Sequence, residues 1–378
     1  MQLVPEDKNH ETKRILALDG GGLRGFFTLE VLARVEALLR QRLDRPTAVL
    51  ADHFDLIAGT SIGAIFGALL SWGHSVADVQ ELFHKLAARV FQPYRNPLMW
   101  LVNRYNAKIL SDSLKEIFVE KGADGMLNAT LGTSLLQTVF LAVVRNASTG
   151  SAWPICSHPA LRYNQRGQSN CNLDIPLWQI VRASAAAPTY FAPEGITTGE
   201  ETFRFVDGGI TPYNNPALIA ALMVTEPCFN INWPKGEDQL YVLSIGTGRT
   251  RVRYSQRDSL FELGIPTVVS KTITALIQGT TDQQDLLCRV LGRCLHGPIL
   301  DREVGDLIEH TPTAEAEQSQ RRRFTYVRYN TDFNSPEFEP ILRKYGGDVP
   351  MNLLTSIPAL QALGKRYAQS EVLQEHLR

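Results

Sequence analysis

Three short apolar runs in this chain each lead into a glycine-rich turn that carries a polar side chain, and this arrangement restricts the fold more than any other feature. Lys13–Leu18 leads into Asp19-Gly20-Gly21-Gly22-Leu23-Arg24-Gly25, residues 54–58 into Gly59-Thr60-Ser61-Ile62-Gly63, and residues 203–206 into Asp207-Gly208-Gly209. The first two turns open helical patterns: Leu29, Leu32, Val35 and Leu39 recur through 26–42, and 62–72 is an apolar helix rich in small residues. Strand, glycine turn and helix, repeated, predict an α/β fold with a mostly parallel central sheet flanked by helices. Further strands are expected over 137–145, 239–245 and, at a sheet edge, 324–329. Helices are expected through most of 75–120, over 175–185 and 260–308, and in a C-terminal extension over 352–377, with a polar loop at 309–323. The domain plan is one α/β unit over 13–330 with a helical segment, 331–378, packed on it.

Each turn carries residues suited to acyl transfer. Gly59-Thr60-Ser61-Ile62-Gly63 has the G-x-S-x-G spacing of a nucleophile elbow, in the strand–turn–helix setting that such an elbow needs. A serine on a strained turn requires small neighbours two positions away, which Gly59 and Gly63 supply. In the first turn, consecutive glycines let backbone N–H groups converge on one point, a concavity suited to an oxyanion or a phosphate. Gly20 to Gly25 also fits G-x-G-x-x-G formally, but the next strand ends in the serine turn rather than in the acid a dinucleotide site expects. Asp207 stands at a strand end before two glycines, a base candidate whose apolar neighbours Phe205 and Val206 are expected to raise its pKa. A Ser-His-Asp triad would need a late histidine; His296 is the best candidate but is expected to end a helix, so a dyad is preferred.

On these residues the chain resembles the patatin-like phospholipase family. The match extends to Ala183-Ser184-Ala185-Ala186-Ala187-Pro188-Thr189-Tyr190-Phe191, to Asn214-Asn215-Pro216 and to Leu243-Ser244-Ile245-Gly246-Thr247-Gly248. The resemblance implies lipid acyl hydrolysis with Ser61 as nucleophile and Asp207 as base. It also implies an oxyanion hole built by Gly20, Gly21, Gly22, Leu23 and Arg24. Membrane phospholipids are the implied substrate, no cofactor or metal is required, and the protein is expected to contact membranes peripherally. The overall plan further resembles bacterial patatin-like effectors that a cyclic dinucleotide switches on in antiphage defence, which makes such a nucleotide a candidate activator. The competing reading is a non-catalytic nucleotide- or phosphate-binding protein that uses the first glycine loop as a cradle.

Composition narrows the setting. A formal net charge of −1 over 378 residues argues against bulk attachment to nucleic acid. Neither a signal-peptide pattern nor an apolar run of transmembrane length is present, and five cysteines without C-x-x-C pairs suggest neither a disulfide framework nor a zinc site. A cytoplasmic protein acting at the inner membrane surface, with a homo-oligomer as an open option, is the expectation. Two regions keep two readings each. Residues 91–105 are either a buried helix and loop or a lipid-facing cap. The arginines and tyrosines of the last third (Arg249, Arg251, Arg253, Tyr254, Arg289, Arg293, Arg321, Arg322, Arg323, Tyr326, Tyr329) are either a solvated surface or an anion pocket. Arg24 either supports the glycine loop or faces a phospholipid head group.

Overall fold

The computed structural model describes residues 12–92, 104–122, 125–250, 265–308, 322–346, 349 and 353–378. Strands are β1 Lys13–Leu18, β2 Leu56–Thr60, β3 Val119–Gly122, β4 Gly125–Asn128, β5 Val139–Asn146, β6 Ser151–Cys156, β7 Glu194–Thr198, β8 Glu201–Asp207, β9 Leu240–Ile245, β10 Arg293–His296 and β11 Thr325–Tyr329. Helices are α1 Gly25–Arg42, α2 Leu50–His53, α3 Ile62–Ser71, α4 Val76–Val90, α5 Ala107–Ile117, α6 Leu177–Ser184, α7 Ala217–Thr225, α8 Ile265–Leu291, α9 Glu339–Lys344 and α10 Ile357–Glu371.

Among the described residues nine strands form one sheet, in which β10, β11, β9, β1, β2 and β5 run parallel to their neighbours in that order. β1 at its centre is apolar and buried from Ile15 to Leu18 and alternates these side chains between two cores. Leu16 and Leu18 join the layer with α1, α3, α4, α6 and α10, whereas Ile15 and Ala17 join the layer with α7 and the C-terminal end of α8. The α/β class with a mostly parallel sheet between helical layers is therefore the observed fold. β3 and β4 pair apart from it as a hairpin.

The registers on β5 position the site. β2 pairs with Val139 to Val143 and β8 with Val144 to Asn146, while β6 pairs with Leu141 to Asn146. Because β6 overlaps both of the others, it must occupy the opposite edge of β5, and β2 and β8 share one edge end to end. β8 runs antiparallel, so the C-terminal ends of β2 and β8 meet head-on at the Val143–Val144 step.

Several expectations need correction. Residues 324–329 were expected at an edge, yet β11 lies between β9 and β10 and is buried along its whole length. The continuous helix expected to 308 stops at Leu291, because Arg293–His296 pairs in parallel with β11. His296 consequently belongs to a strand and does not end a helix. Residues 93–103 of the candidate cap and 309–321 of the expected loop lie outside the described residues. Among the described residues no helix is long and apolar enough to cross a membrane. In the C-terminal segment, Leu363 and Gly364 of α10 are buried, with Gly364 set against Glu30 and the Phe27 carbonyl of α1.

One charged pair ties the first turn to the interior strand β11. Arg328 donates twice to Asp19, Nη1 to Oδ1 at 2.8 Å and Nη2 to Oδ2 at 2.5 Å, and both side chains are buried. Nη1 also donates to Ser244 Oγ at 2.7 Å. Removing one partner of such a pair leaves a buried charge uncompensated. Arg328→Met is accordingly expected to lower the unfolding free energy by about 3–5 kcal/mol, measured by urea denaturation.

Candidate active site

The serine turn has the geometry its sequence implies. Ser61 adopts φ 55° and ψ −122°, a region non-glycine residues rarely occupy, immediately before α3. The close packing around it admits no side chain at either flank: a Cβ on Gly59 would strike the Gly63 carbonyl, and one on Gly63 the Leu18 carbonyl. Ser61 N donates to Ser184 Oγ at 2.9 Å, and Ser184 Oγ donates to the Val143 carbonyl at 2.7 Å. The last residue of α6 thus ties the serine turn to Val143 of β5. The Ser61 side chain, half-buried, donates from Oγ to Asp207 Oδ2 at 2.6 Å.

Asp207 is buried and held from several directions. Its Oδ1 accepts from Gly209 N at 2.6 Å, and its own N–H donates to the Ala186 carbonyl at 3.0 Å. Burial pushes its pKa up to about 6, against the opposing pull of the Ser61 and Gly209 hydrogen bonds and the positive charge of Arg182. Arg182 is buried as well, its Nη2 donating to the Ala192 carbonyl at 2.7 Å. A carboxylate with these surroundings is a stronger base than an exposed one, yet largely ionised at neutral pH.

The glycine loop stands against the serine. A Cβ placed on Gly20 would lie 3.0 Å from Ser61 Cβ and 2.5 Å from Asn214 Oδ1. Gly22, at φ 57°, takes the left-handed turn that starts one turn of 3₁₀ helix over Gly22–Arg24, which runs on into α1. Gly20 N donates to the Asn214 carbonyl at 3.3 Å and Arg24 N to the Gly21 carbonyl at 3.2 Å, so both amides are spent inside the loop. The amides of Gly21, Gly22 and Leu23 meet no acceptor among the described residues. The Arg24 side chain is buried; Nε donates to the Val349 carbonyl at 3.2 Å and Nη2 to Thr250 Oγ1 at 3.0 Å. Of its two readings, support of the loop is the one its contacts match.

Residues outside the three turns complete the arrangement, and sequence reasoning gave them no role. Ser184, Ala186, Asn214 and Thr247 all lie in the longer matching segments but carried no chemical signal of their own. Arg328, in the buried strand β11, likewise carried no chemical signal of its own. His296 is not brought to the site: β11, β9 and β1 separate its strand from β2. It stacks on His376 with ring centroids 4.4 Å apart, and burial pushes its pKa down to about 4. Among the described residues no histidine hydrogen-bonds to Ser61 or Asp207.

The late arginines do not converge either. Arg289 is buried against Asp285, Arg249 pairs with Asp282 at 2.7 Å, and Arg323 pairs with Glu226. Arg249 follows the C-terminal end of β9 while Arg322 and Arg323 precede the parallel strand β11, which places them at opposite ends of the sheet. Tyr326 and Tyr329 are buried in that strand. Among the described residues these side chains therefore form no single anion pocket; Arg251, Arg253, Tyr254 and Arg321 lie outside the described residues. Among the described residues no cluster of three or more ligating side chains suits a metal ion.

The chain is similar in sequence to known proteins. A family described as "Patatin-like phospholipase" matches residues 16–221, over half of the chain. A "cGAMP-activated phospholipase" of Escherichia coli is 33% identical over 238 residues, 62% of this chain and 62% of that one. A protein of the same description from Vibrio cholerae serotype O1 is 31% identical over 216 residues, 54% of this chain and 56% of that one. A "cUMP-AMP-activated phospholipase" of Escherichia coli is 28% identical over 247 residues, 65% and 68% of the two chains. The matches thus span less than two thirds of the first two relatives' length.

The raised pKa of Asp207 has a consequence for stability. A folded value of about 6 lies above the ordinary 3.8, so the folded state binds the proton more tightly than the unfolded chain does. That stabilisation is complete below about pH 4 and is lost as the pH rises through about 6. Asp207→Asn should therefore raise the unfolding free energy at pH 7, by up to about 3 kcal/mol, and give little gain at pH 4. Urea denaturation at the two pH values measures the difference.

Proposed function

Because this chain belongs to the patatin-like phospholipase family, we propose that it hydrolyses fatty-acyl esters of phospholipids, with Ser61 as nucleophile and Asp207 as its base. The observation that carries this reading is the 2.6 Å hydrogen bond from Ser61 Oγ to a buried carboxylate whose pKa is pushed up to about 6. As Oγ attacks the ester carbonyl carbon, its proton passes to Asp207 Oδ2 and the carbonyl oxygen becomes an oxyanion. Amides of Gly21, Gly22 and Leu23 are the donors free to receive that charge. Collapse of the tetrahedral intermediate breaks the ester C–O bond, and Asp207 returns its proton to the departing alcohol. Water then attacks the acyl-serine, Asp207 takes the water proton, and collapse releases the fatty acid as Ser61 is reprotonated. The cycle uses only side chains and backbone amides of this chain, without a cofactor.

The relatives named for activation by cyclic dinucleotides support a second, finer reading: that a cyclic dinucleotide raises this activity. Hydrolysis of mixed phospholipid vesicles, followed by mass analysis with and without a panel of cyclic dinucleotides, tests it; unchanged rates with every member of the panel remove it.

Ser61→Ala should abolish ester hydrolysis and labelling by a fluorophosphonate while leaving the unfolding midpoint near wild type. Equal labelling of variant and wild type would instead favour the non-catalytic phosphate-cradle reading. His296→Ala should leave kcat within about threefold, since no histidine takes the proton. For wild type, kcat/KM should fall tenfold per pH unit below about pH 6, as Asp207 becomes protonated. A limb centred near pH 4 would remove the raised-pKa base.

A further inference from the structure

The Asn214-Asn215-Pro216 segment stands beside the serine and the aspartate without a chemical role. Asn214 is buried where the glycine loop, the Asp207 turn and the middle of α8 come together. Its side-chain Nδ2 reaches the Gly20 carbonyl at 3.4 Å and Thr281 Oγ1 at 3.1 Å. Its Oδ1 lies 2.9 Å from where a Cβ on Gly209 would fall, so it also fills the space behind the turn that binds Asp207 Oδ1. The Thr281 hydroxyl gives its proton to the Ile277 carbonyl at 2.8 Å and can only accept from Asn214. That fixes which end of the Asn214 amide faces α8. A cavity of about 60 Å³ adjoins the contact, lined by Gly20, Asn214, Gln278 and Thr281 among others.

These contacts determine the direction of one peptide. The Gly20 carbonyl is approached by Asn214 Nδ2 and by Thr247 Oγ1, each at 3.4 Å, and the Gly20 N–H by the Asn214 carbonyl at 3.3 Å. In a planar trans peptide the C=O and the following N–H point opposite ways. With the Gly20 oxygen turned toward Asn214 and Thr247, the Gly21 N–H is turned away from them. We propose that Asn214, oriented by Thr281 of α8, is a positioning residue that aims the Gly21 amide at the oxyanion. The assignment rests on the serine-hydrolase reading and adds to it a path from α8 to the reacting atoms. A shift of α8 would be transmitted to the oxyanion donor through two hydrogen bonds.

The test uses the whole chain and substitutions of nearly equal volume. Asn214→Asp replaces the donor facing the Gly20 carbonyl with an oxygen, and should lower kcat by about 10²-fold with KM within about twofold, the pattern of a misplaced oxyanion donor. Thr281→Val removes only the acceptor and should lower kcat about tenfold, whereas Thr281→Ser, which keeps it, should restore wild-type kcat. A trifluoromethyl ketone lipid analogue, whose hemiketal places an oxyanion in the hole, should weaken in step with kcat. Wild-type kcat and analogue affinity in Thr281→Val overturn the assignment. So does a loss in Asn214→Asp that follows the unfolding midpoint and leaves analogue affinity intact. Fluorophosphonate labelling of wild type separates the two levels: no label at Ser61 brings down the hydrolase reading itself, while labelling with unaffected variants brings down only the role of Asn214.

Discussion

The C-terminal ends of β2 and β8 meet on one edge of β5, and the rest of the site depends on that junction. In a parallel sheet all C-terminal ends face one way, and an added antiparallel strand normally delivers its C-terminus to the opposite end of the sheet. β8 avoids this by beginning beyond the end of β5 and pairing with only its last three residues. Asp207 therefore stops opposite Val144, next to the Val143 that pairs with Thr60, the residue before Ser61. Gly208 has to be glycine in such a junction, since a Cβ there would run into the Val143 carbonyl.

That junction also places an acid where water is excluded. Burial makes the ionised form of Asp207 costly, and two hydrogen bonds and Arg182 recover only part of the cost. A strained backbone at Ser61 adds to it. Both costs fall where a nucleophile and its base would work, and neither is needed to hold the sheet together. The pattern fits a molecule whose stability is supplied by its two apolar cores and spent in part at one spot.

Around the junction, each longer matching segment holds one backbone piece in place. Ser184 and Ala186, at the end of α6, fix the amides of Ser61 and Asp207. Asn214 and Thr247 converge on the Gly20 carbonyl. Arg328, from a strand late in the chain, holds the Asp19 carboxylate through two parallel hydrogen bonds. The proposed nucleophile and base lie on the first 207 residues, but the side chains packed around their turns reach to β11.

By itself the sequence determined the local events: where strands stop, where a backbone must turn tightly, and which turn carries a hydroxyl, a carboxylate or free amides. Glycine spacing and apolar periodicity are short-range properties, so β1, α1, β2, α3 and the end of β8 were legible within a few residues. The edge or interior position of 324–329 was not, because an apolar strand reads the same in both places and only its neighbours β9 and β10 distinguish them. His296 was misread for the related reason that Arg293–His296 becomes a strand only by pairing with β11, thirty residues on. The roles of Asn214, Ser184 and Arg328 belong to the tertiary structure as well. A hydrogen bond between residues far apart in the chain leaves no periodic trace, and it exists only once the sheet has brought its partners to the same end.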